Sequence, residues 1–151
     1  MPTTFGHVNL VARDWRRLVR FYSDVFGCEP VPPERSLSGE WIETATGIDG
    51  ARIEGVHLRL PGGGQHGPTL EVFSYLSGTD EAATSLNATG FSHLAFAVDD
   101  VEATVAEIVA AGGSELGALT RTTIPGAGPL TFQYARDPEG NIIEVQRWGT
   151  S

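Results

Sequence analysis

Two histidines and two glutamates stand in matched surroundings along this chain. His7 lies in GHVNLVARD and Glu71 in TLEVFSY, while His93 lies in SHLAFAVDD and Glu144 in IIEVQRW. Each pair offers one imidazole and one carboxylate. Together two neutral imidazoles and two carboxylates carry two negative charges, which a divalent cation cancels. A mixed nitrogen and oxygen donor set suits Mn, Fe, Co, Ni or Zn, whereas calcium and magnesium prefer oxygen alone. Four protein ligands on an octahedral ion leave two positions for water or substrate oxygens, an open arrangement suited to catalysis. Taken singly, a strand histidine is more often a hydrogen-bonded structural residue, and a strand glutamate more often lies on the wet face. Recurrence at matched positions is what argues against accident.

The recurrence can be counted. Placing His7 over His93 fixes an offset of 86, and without a gap Asp14 then falls over Asp100 and Gly27 over Gly113. Farther along, the offset shrinks to 73, where Leu70-Glu71-Val72 lies over Ile143-Glu144-Val145. The second copy has lost 13 residues between its histidine and its glutamate. Two copies this long are too few for a solenoid and read as a duplicated module.

The elements that must position these residues follow from pattern and punctuation. His7 to Val11 alternates as a strand. Asp14 is a suitable N-cap for WRRLVRFYSDVFG, where Leu18, Phe21, Tyr22 and Val25 recur at helical spacing, Arg16, Arg17 and Arg20 face out, and Gly27 ends the helix. Phe91 to Val98 repeats the strand. Asp99 or Asp100 caps the next helix, Asp99 and Glu102 having capping-box spacing, and Val101, Val105, Ile108 and Val109 form its buried face before Gly112-Gly113. Further strands are expected at Gly39 to Thr44, Ala51 to Leu60 and Thr69 to Leu76 in the first half. In the second they fall near Leu119 to Thr123, at Pro129 to Ala135 and at Asn141 to Trp148. The Asp137-Pro138-Glu139-Gly140-Asn141 segment has proline for the first corner of a type I turn and glycine where φ is positive. Each half therefore reads as β-α-β-β-β. The expected fold is α+β, two tandem β-α-β-β-β modules, about 5–76 and 91–148, forming a cupped, mostly antiparallel sheet within a single domain spanning 1–151. The cup would converge the four candidate ligands in its concavity.

Composition bounds the function. The chain has 151 residues and a formal net charge of −9. That balance excludes nucleic acid and anionic membrane surfaces as natural partners, because both require a basic footprint. No apolar run is long enough to span a bilayer, and MPTTFGHVNL carries no charged leader followed by an apolar stretch, so a soluble cytoplasmic protein is the expectation. Cys28 is the single cysteine and reads as a small residue packed after the first helix.

HVNLVARD, RFYSDVFG, TLEVF, SHLAFAVDD and DPEGNIIEV together resemble the vicinal oxygen chelate superfamily over nearly the whole chain. That group includes glyoxalase I, methylmalonyl-CoA epimerase, extradiol dioxygenases, fosfomycin-resistance transferases and bleomycin-binding proteins. The resemblance implies a cupped sheet holding one divalent transition metal (Ni, Co, Mn, Fe or Zn) on His7, Glu71, His93 and Glu144. Extradiol and fosfomycin enzymes lack a ligand at the position of Glu71, and the bleomycin-binding branch lacks the set. Glyoxalase I is similar in having all four, and methylmalonyl-CoA epimerase differs by a glutamine at the position of Glu71. The implied activity is that of a lyase or isomerase enolising a small α-hydroxy carbonyl compound or acyl thioester. In that chemistry the metal stabilises the developing oxyanion. Glu144 would also shuttle the proton, beside Glu71. Glu54, on the strand before Glu71, is the candidate second base that racemisation needs. A small-molecule substrate and a homodimer complete the expectation. A natural-product binding protein and an iron-dependent dioxygenase stand as alternatives.

Other residues carry less. His57 and His66 lack a matched histidine in the second half. PGGGQHGP joins two strands and opens no helix, so it is no phosphate cradle. Trp41, Phe73, Tyr75, Phe132, Tyr134 and Trp148 could line an apolar pocket, though aromatic residues in strands are more often core. Arg121 and Arg136 could receive an anionic group, but solvated surface is the commoner role.

Overall fold

A computed structural model describes residues 2–80 and 84–149. It divides into two compact units, Met1–Asp80 and Glu81–Ser151, referred to below as module 1 and module 2. Module 1 contains β1 (His7–Val11), α1 (Trp15–Phe26), β2 (Glu29–Leu37), α2 (Glu40–Thr46), β3 (Ile53–Arg59) and β4 (Thr69–Tyr75). Module 2 contains β5 (His93–Ala97), α3 (Val101–Ala110), β6 (Ser114–Ile124), β7 (Gly128–Arg136) and β8 (Ile142–Trp148). Each folds a four-stranded mixed sheet, ordered β1-β4-β3-β2 in one and β5-β8-β7-β6 in the other. The first pair in each order is parallel and the other two are antiparallel. Even an irregularity recurs: the β2–β3 register shifts between Val31 and Arg35, and the β6–β7 register shifts between Leu116 and Thr120. Both are edge strands, each with two extra residues at the shift, and there the insertion disturbs only one ladder.

One face of each sheet is covered by a helix. Asp14 caps α1 by accepting from Arg17 N at 3.0 Å, and the helix buries Trp15, Leu18, Val19, Phe21, Tyr22 and Phe26. Beneath it lie Val56, Leu58, Leu70 and Val72, alternate residues of β3 and β4 that are almost wholly inaccessible. Asp100 caps α3 through Ala103 N at 2.9 Å, so the Asp99–Glu102 capping box does not form. Val101, Val105 and Ile108 are buried, while Val109 is exposed, having fallen outside the helix's inward stripe. Ala135, Ile143 and Val145 form the matching sheet face.

The helix ends show where a gapless match misleads. Gly27 closes α1 at φ +70, and its functional counterpart is Gly112 at φ +99 rather than Gly113. Gly112 N–H donates to Val109 O and Gly113 N–H to Ile108 O, the paired bonds of a Schellman motif. Gly113 is needed for a different reason, since a Cβ there would overlap Arg136 O and the Ile108 side chain.

Two expected elements are corrected. Gly39 to Thr44 is not a strand: α2 begins after Gly39 and stops at Gly47, φ +70. Glu40 and Glu43 in its first turn complement the helix dipole, and Ile42 pins it into a cluster with Ala51, Ile53 and Phe73. The strand before β3 is instead β2, EPVPPERSL, whose prolines are tolerated because it lies at the sheet edge. In module 2 the weak signal at Leu119 to Thr123 is the end of an eleven-residue strand, β6. The turn before β8 forms as expected: Gly140 N–H bonds Asp137 O at 3.0 Å with Gly140 at φ +92, while the Asp137 carboxylate accepts from Glu139 N and Asn141 N. Cys28 is buried after α1, and that burial pushes its thiol up to about 11. No described helix is long and apolar enough to cross a membrane.

Candidate functional site

Each sheet presents its candidate ligands on the face away from its helix. In module 1, β1 runs parallel to β4 with His7 opposite Thr69 and Asn9 opposite Glu71, and β3 runs antiparallel on the other side with His57 opposite Glu71. Strand alternation sends Leu70 and Val72 toward α1, so Thr69 and Glu71 project to the other side, as does His57. His7 Nε2 is 3.5 Å from Glu71 Oε1, and His57 Nε2 is 2.8 Å from Glu71 Oε2. Asn9 Nδ2 donates to Glu71 Oε1 at 2.9 Å, and the Thr69 hydroxyl lies 2.8 Å from His57 Nδ1. Both oxygens of Glu71 are therefore engaged. The His7 and His57 rings meet edge to face, centroids 5.4 Å apart. Burial pushes the His57 imidazole below its ordinary value, opposed by the neighbouring Glu71.

Module 2 repeats the frame with fewer partners. His93 lies opposite Ile142 and Ala95 opposite Glu144, with Tyr134 across from Glu144 on β7. His93 Nε2 is 3.1 Å from Glu144 Oε2, and its Nδ1 is 3.0 Å from the Ser92 hydroxyl. Tyr134 packs edge to face on His93 at 5.2 Å and on Phe132 at 5.8 Å. Burial, then the Glu144 charge, pushes the Tyr134 phenol up. The two carboxylates are equally sheltered, with side-chain exposures of 14% for Glu71 and 15% for Glu144.

These pairs fit a transition metal. Bonds of about 2.0–2.2 Å to nitrogen and oxygen place neighbouring donors of an octahedral ion about 3 Å apart. The separations of 3.5 Å and 3.1 Å between imidazole and carboxylate lie near that edge. The charge of each pair also suits a cation.

The structure brings His7 together with Glu71, and His93 together with Glu144, within their modules. It does not bring Glu54 to Glu71. Glu54 pairs with Ser74, two positions of β3 and β4 that point to the helix side, and its charge is felt by Arg16 on α1. Sequence reasoning passed over His57 because it found no matched histidine in the second half; in the structure Tyr134 holds the corresponding position. The hairpin ladder sets the pairing: Arg59 lies opposite Thr69, so His57, two residues back, lies opposite Glu71, two residues on, and both face the same side. Of the aromatic candidates, Phe73 belongs to the α2 cluster, Tyr134 flanks His93, and Trp41 and Trp148 are exposed. Arg121 is paired with Glu102 at 2.8 Å, and Arg136 donates to Gly140 O and Thr84 O. His66 is exposed in its loop. An open cavity of about 530 Å³ on module 2, bordered by Asp99, Arg121, Thr131 and Arg147, includes none of the candidate ligands.

Comparison with known proteins places this geometry in context. A family model described as the Glyoxalase/Bleomycin resistance protein/Dioxygenase superfamily matches residues 4–145. A protein named as a probable lactoylglutathione lyase, from Vibrio parahaemolyticus, is 28% identical over 140 residues, covering 92% of this chain and 86% of that one. The crystal structure of a glyoxalase family protein from Bacillus cereus matches with a TM-score of 0.83 at 18% identity, covering 99% of this chain and 97% of the other. A superfamily enzyme from Burkholderia phytofirmans matches with a TM-score of 0.61 at 18% identity, covering 97% and 100%. The two structural likenesses speak to the fold.

Proposed function

Because the chain belongs to the glyoxalase/bleomycin resistance protein/dioxygenase superfamily, we propose that it is a metal-dependent lyase or isomerase of the glyoxalase type, enolising a small α-hydroxy carbonyl compound or acyl thioester. The observation that carries this reading is the imidazole–carboxylate pair repeated at one register position in both sheets, with donors 3.5 Å and 3.1 Å apart. His7, Glu71, His93 and Glu144 would hold one divalent transition metal. When bound, the metal would supply positive charge at the oxygen on which charge develops as a proton leaves the adjacent carbon.

The two carboxylates take different parts. Glu71 is held by the Asn9 amide, which orients its carboxylate as a ligand. Glu144 faces Ala95 and Tyr134 at the corresponding positions, leaving it the freer of the two to accept the substrate proton and return it. The relative from Vibrio parahaemolyticus favours a thioester of a 2-hydroxy acid as product. A cytoplasmic homodimer belongs to the same proposal.

The test is isotope exchange. Incubating metal-loaded protein with a 2-oxoaldehyde and a thiol, whose hemithioacetal is the α-hydroxy carbonyl substrate, or with the acyl thioester, in deuterated water should place deuterium at the reacting carbon of product or recovered substrate. Glu144→Gln keeps an oxygen donor and removes basicity, so exchange should fall by roughly 10²–10⁴-fold. Unchanged exchange in that variant would remove Glu144 as the base. Oxygen uptake with a catechol and no exchange would replace the whole reading with a dioxygenase.

A further inference from the structure

We propose that module 1 is a metal-binding site in its own right, in which His57 joins His7 and Glu71 as a third donor. Their ligand atoms all lie within 4.8 Å of one another. The inference rests on the proposed function only in taking His7 and Glu71 to face a cation.

Three features support it. The residues come from three adjacent hydrogen-bonded strands, β1, β4 and β3, with Glu71 on the central one and His57 directly across from it. A continuous ladder holds that spacing without help from a loop. The 2.8 Å and 3.5 Å separations between each imidazole nitrogen and a Glu71 oxygen lie close to the roughly 3 Å between adjacent donors on an ion of this size. Finally, the site has the outer support that ligating groups characteristically have. Thr69 Oγ1 can accept from His57 Nδ1–H at 2.8 Å, which leaves the Nε2 lone pair for the cation, and the Asn9 amide orients Glu71.

Two imidazoles and one carboxylate leave the remaining positions of an octahedral ion open, and this donor mixture selects a transition metal over calcium or magnesium. Module 2 lacks counterparts of three residues of this arrangement, His57, Thr69 and Asn9. Tyr134 stands where His57 is, Ile142 where Thr69 is and Ala95 where Asn9 is. It therefore keeps two donors, His93 and Glu144, against three in module 1. Module 1 should retain a cation when module 2's donors are removed, and the reverse should fail.

Cobalt(II) titration of the full chain, followed by visible absorption and calorimetry, separates these cases. His93→Ala/Glu144→Ala should still bind one ion per chain. Adding His57→Phe to that background should weaken binding by more than about 100-fold, beyond the 10–100-fold typical of losing an outer contact. His7→Ala/Glu71→Ala should bind no stoichiometric ion at the same concentrations. The inference is overturned if a folded His93→Ala/Glu144→Ala chain binds no ion, or if His57→Phe leaves its affinity unchanged. Should that double variant bind as tightly as the unaltered chain, the four-ligand reading fails and the module 1 site stands. Zinc titration of the unaltered chain gives a readout independent of variant folding: His57 Nε2 should shift in histidine-ring nitrogen spectra. An unmoved signal there would also overturn the inference.

Discussion

Glu71 and Glu144 occupy the same register position in two sheets of identical strand order, yet what surrounds them differs. Asn9 is answered by Ala95, His57 by Tyr134 and Thr69 by Ile142. On the helix side the modules stay alike: Leu70 and Val72 are matched by Ile143 and Val145, all fully buried. The contrast teaches which part of a duplicated sheet is free to change. Residues beneath a helix must fill a close-packed space, so size and apolarity are dictated. Those on the opposite face answer to local chemistry, and there one carboxylate has two polar neighbours, Asn9 and His57, where the other has Ala95 and Tyr134.

The largest effect should come from the shared side. Leu70→Ala and Ile143→Ala each empty a fully buried position, and each should cost about 2–5 kcal/mol in denaturant unfolding. A large cost in one module and a small one in the other would break the claim that the two frames are packed alike. The open face should then show the asymmetry. Asn9→Ala frees one oxygen of Glu71 and should weaken metal binding by roughly 10–100-fold in calorimetry, while Ala95→Ser should change it little. Equal responses at the two positions would mean that Glu71 is no more firmly held than Glu144. The smallest effect tests the caps. Asp14→Ala and Asp100→Ala should each cost about 1 kcal/mol, because each leaves one first-turn N–H without its acceptor.

Much of the architecture was legible in the sequence because both modules announce it twice. The strand–helix entries at His7 and His93, the Asp14 and Asp100 caps and the TLEV/IIEV strands each gain weight from their counterpart. What failed were elements with no repeated signature. EPVPPERSL does not read as a strand, since proline lacks the N–H a ladder needs, and only its place at the edge makes it one. Trp41, Ile42 and Thr44 carry strand-forming side chains, yet Gly39 and Gly47 set the ends of a helix there. His57 was hidden by the very reasoning that found His7 and His93, because a search for symmetry passes over a residue present in one copy. Glu54 failed on parity: it lies three residues from His57, an odd step that turns it to the other face of the strand.

The edge strands β2 and β6 also set how each sheet can grow on that side. A further strand laid against β2 would find no backbone donor at Pro30, Pro32 or Pro33, three of its nine residues, so that border resists addition by a peptide or another copy. β6 has no proline, and its end, Thr-Arg-Thr-Thr-Ile, is rich in strand-favouring residues. Protection against unwanted pairing is thus built into the border of one module by composition, and in the other it rests on the bulge between Leu116 and Thr120.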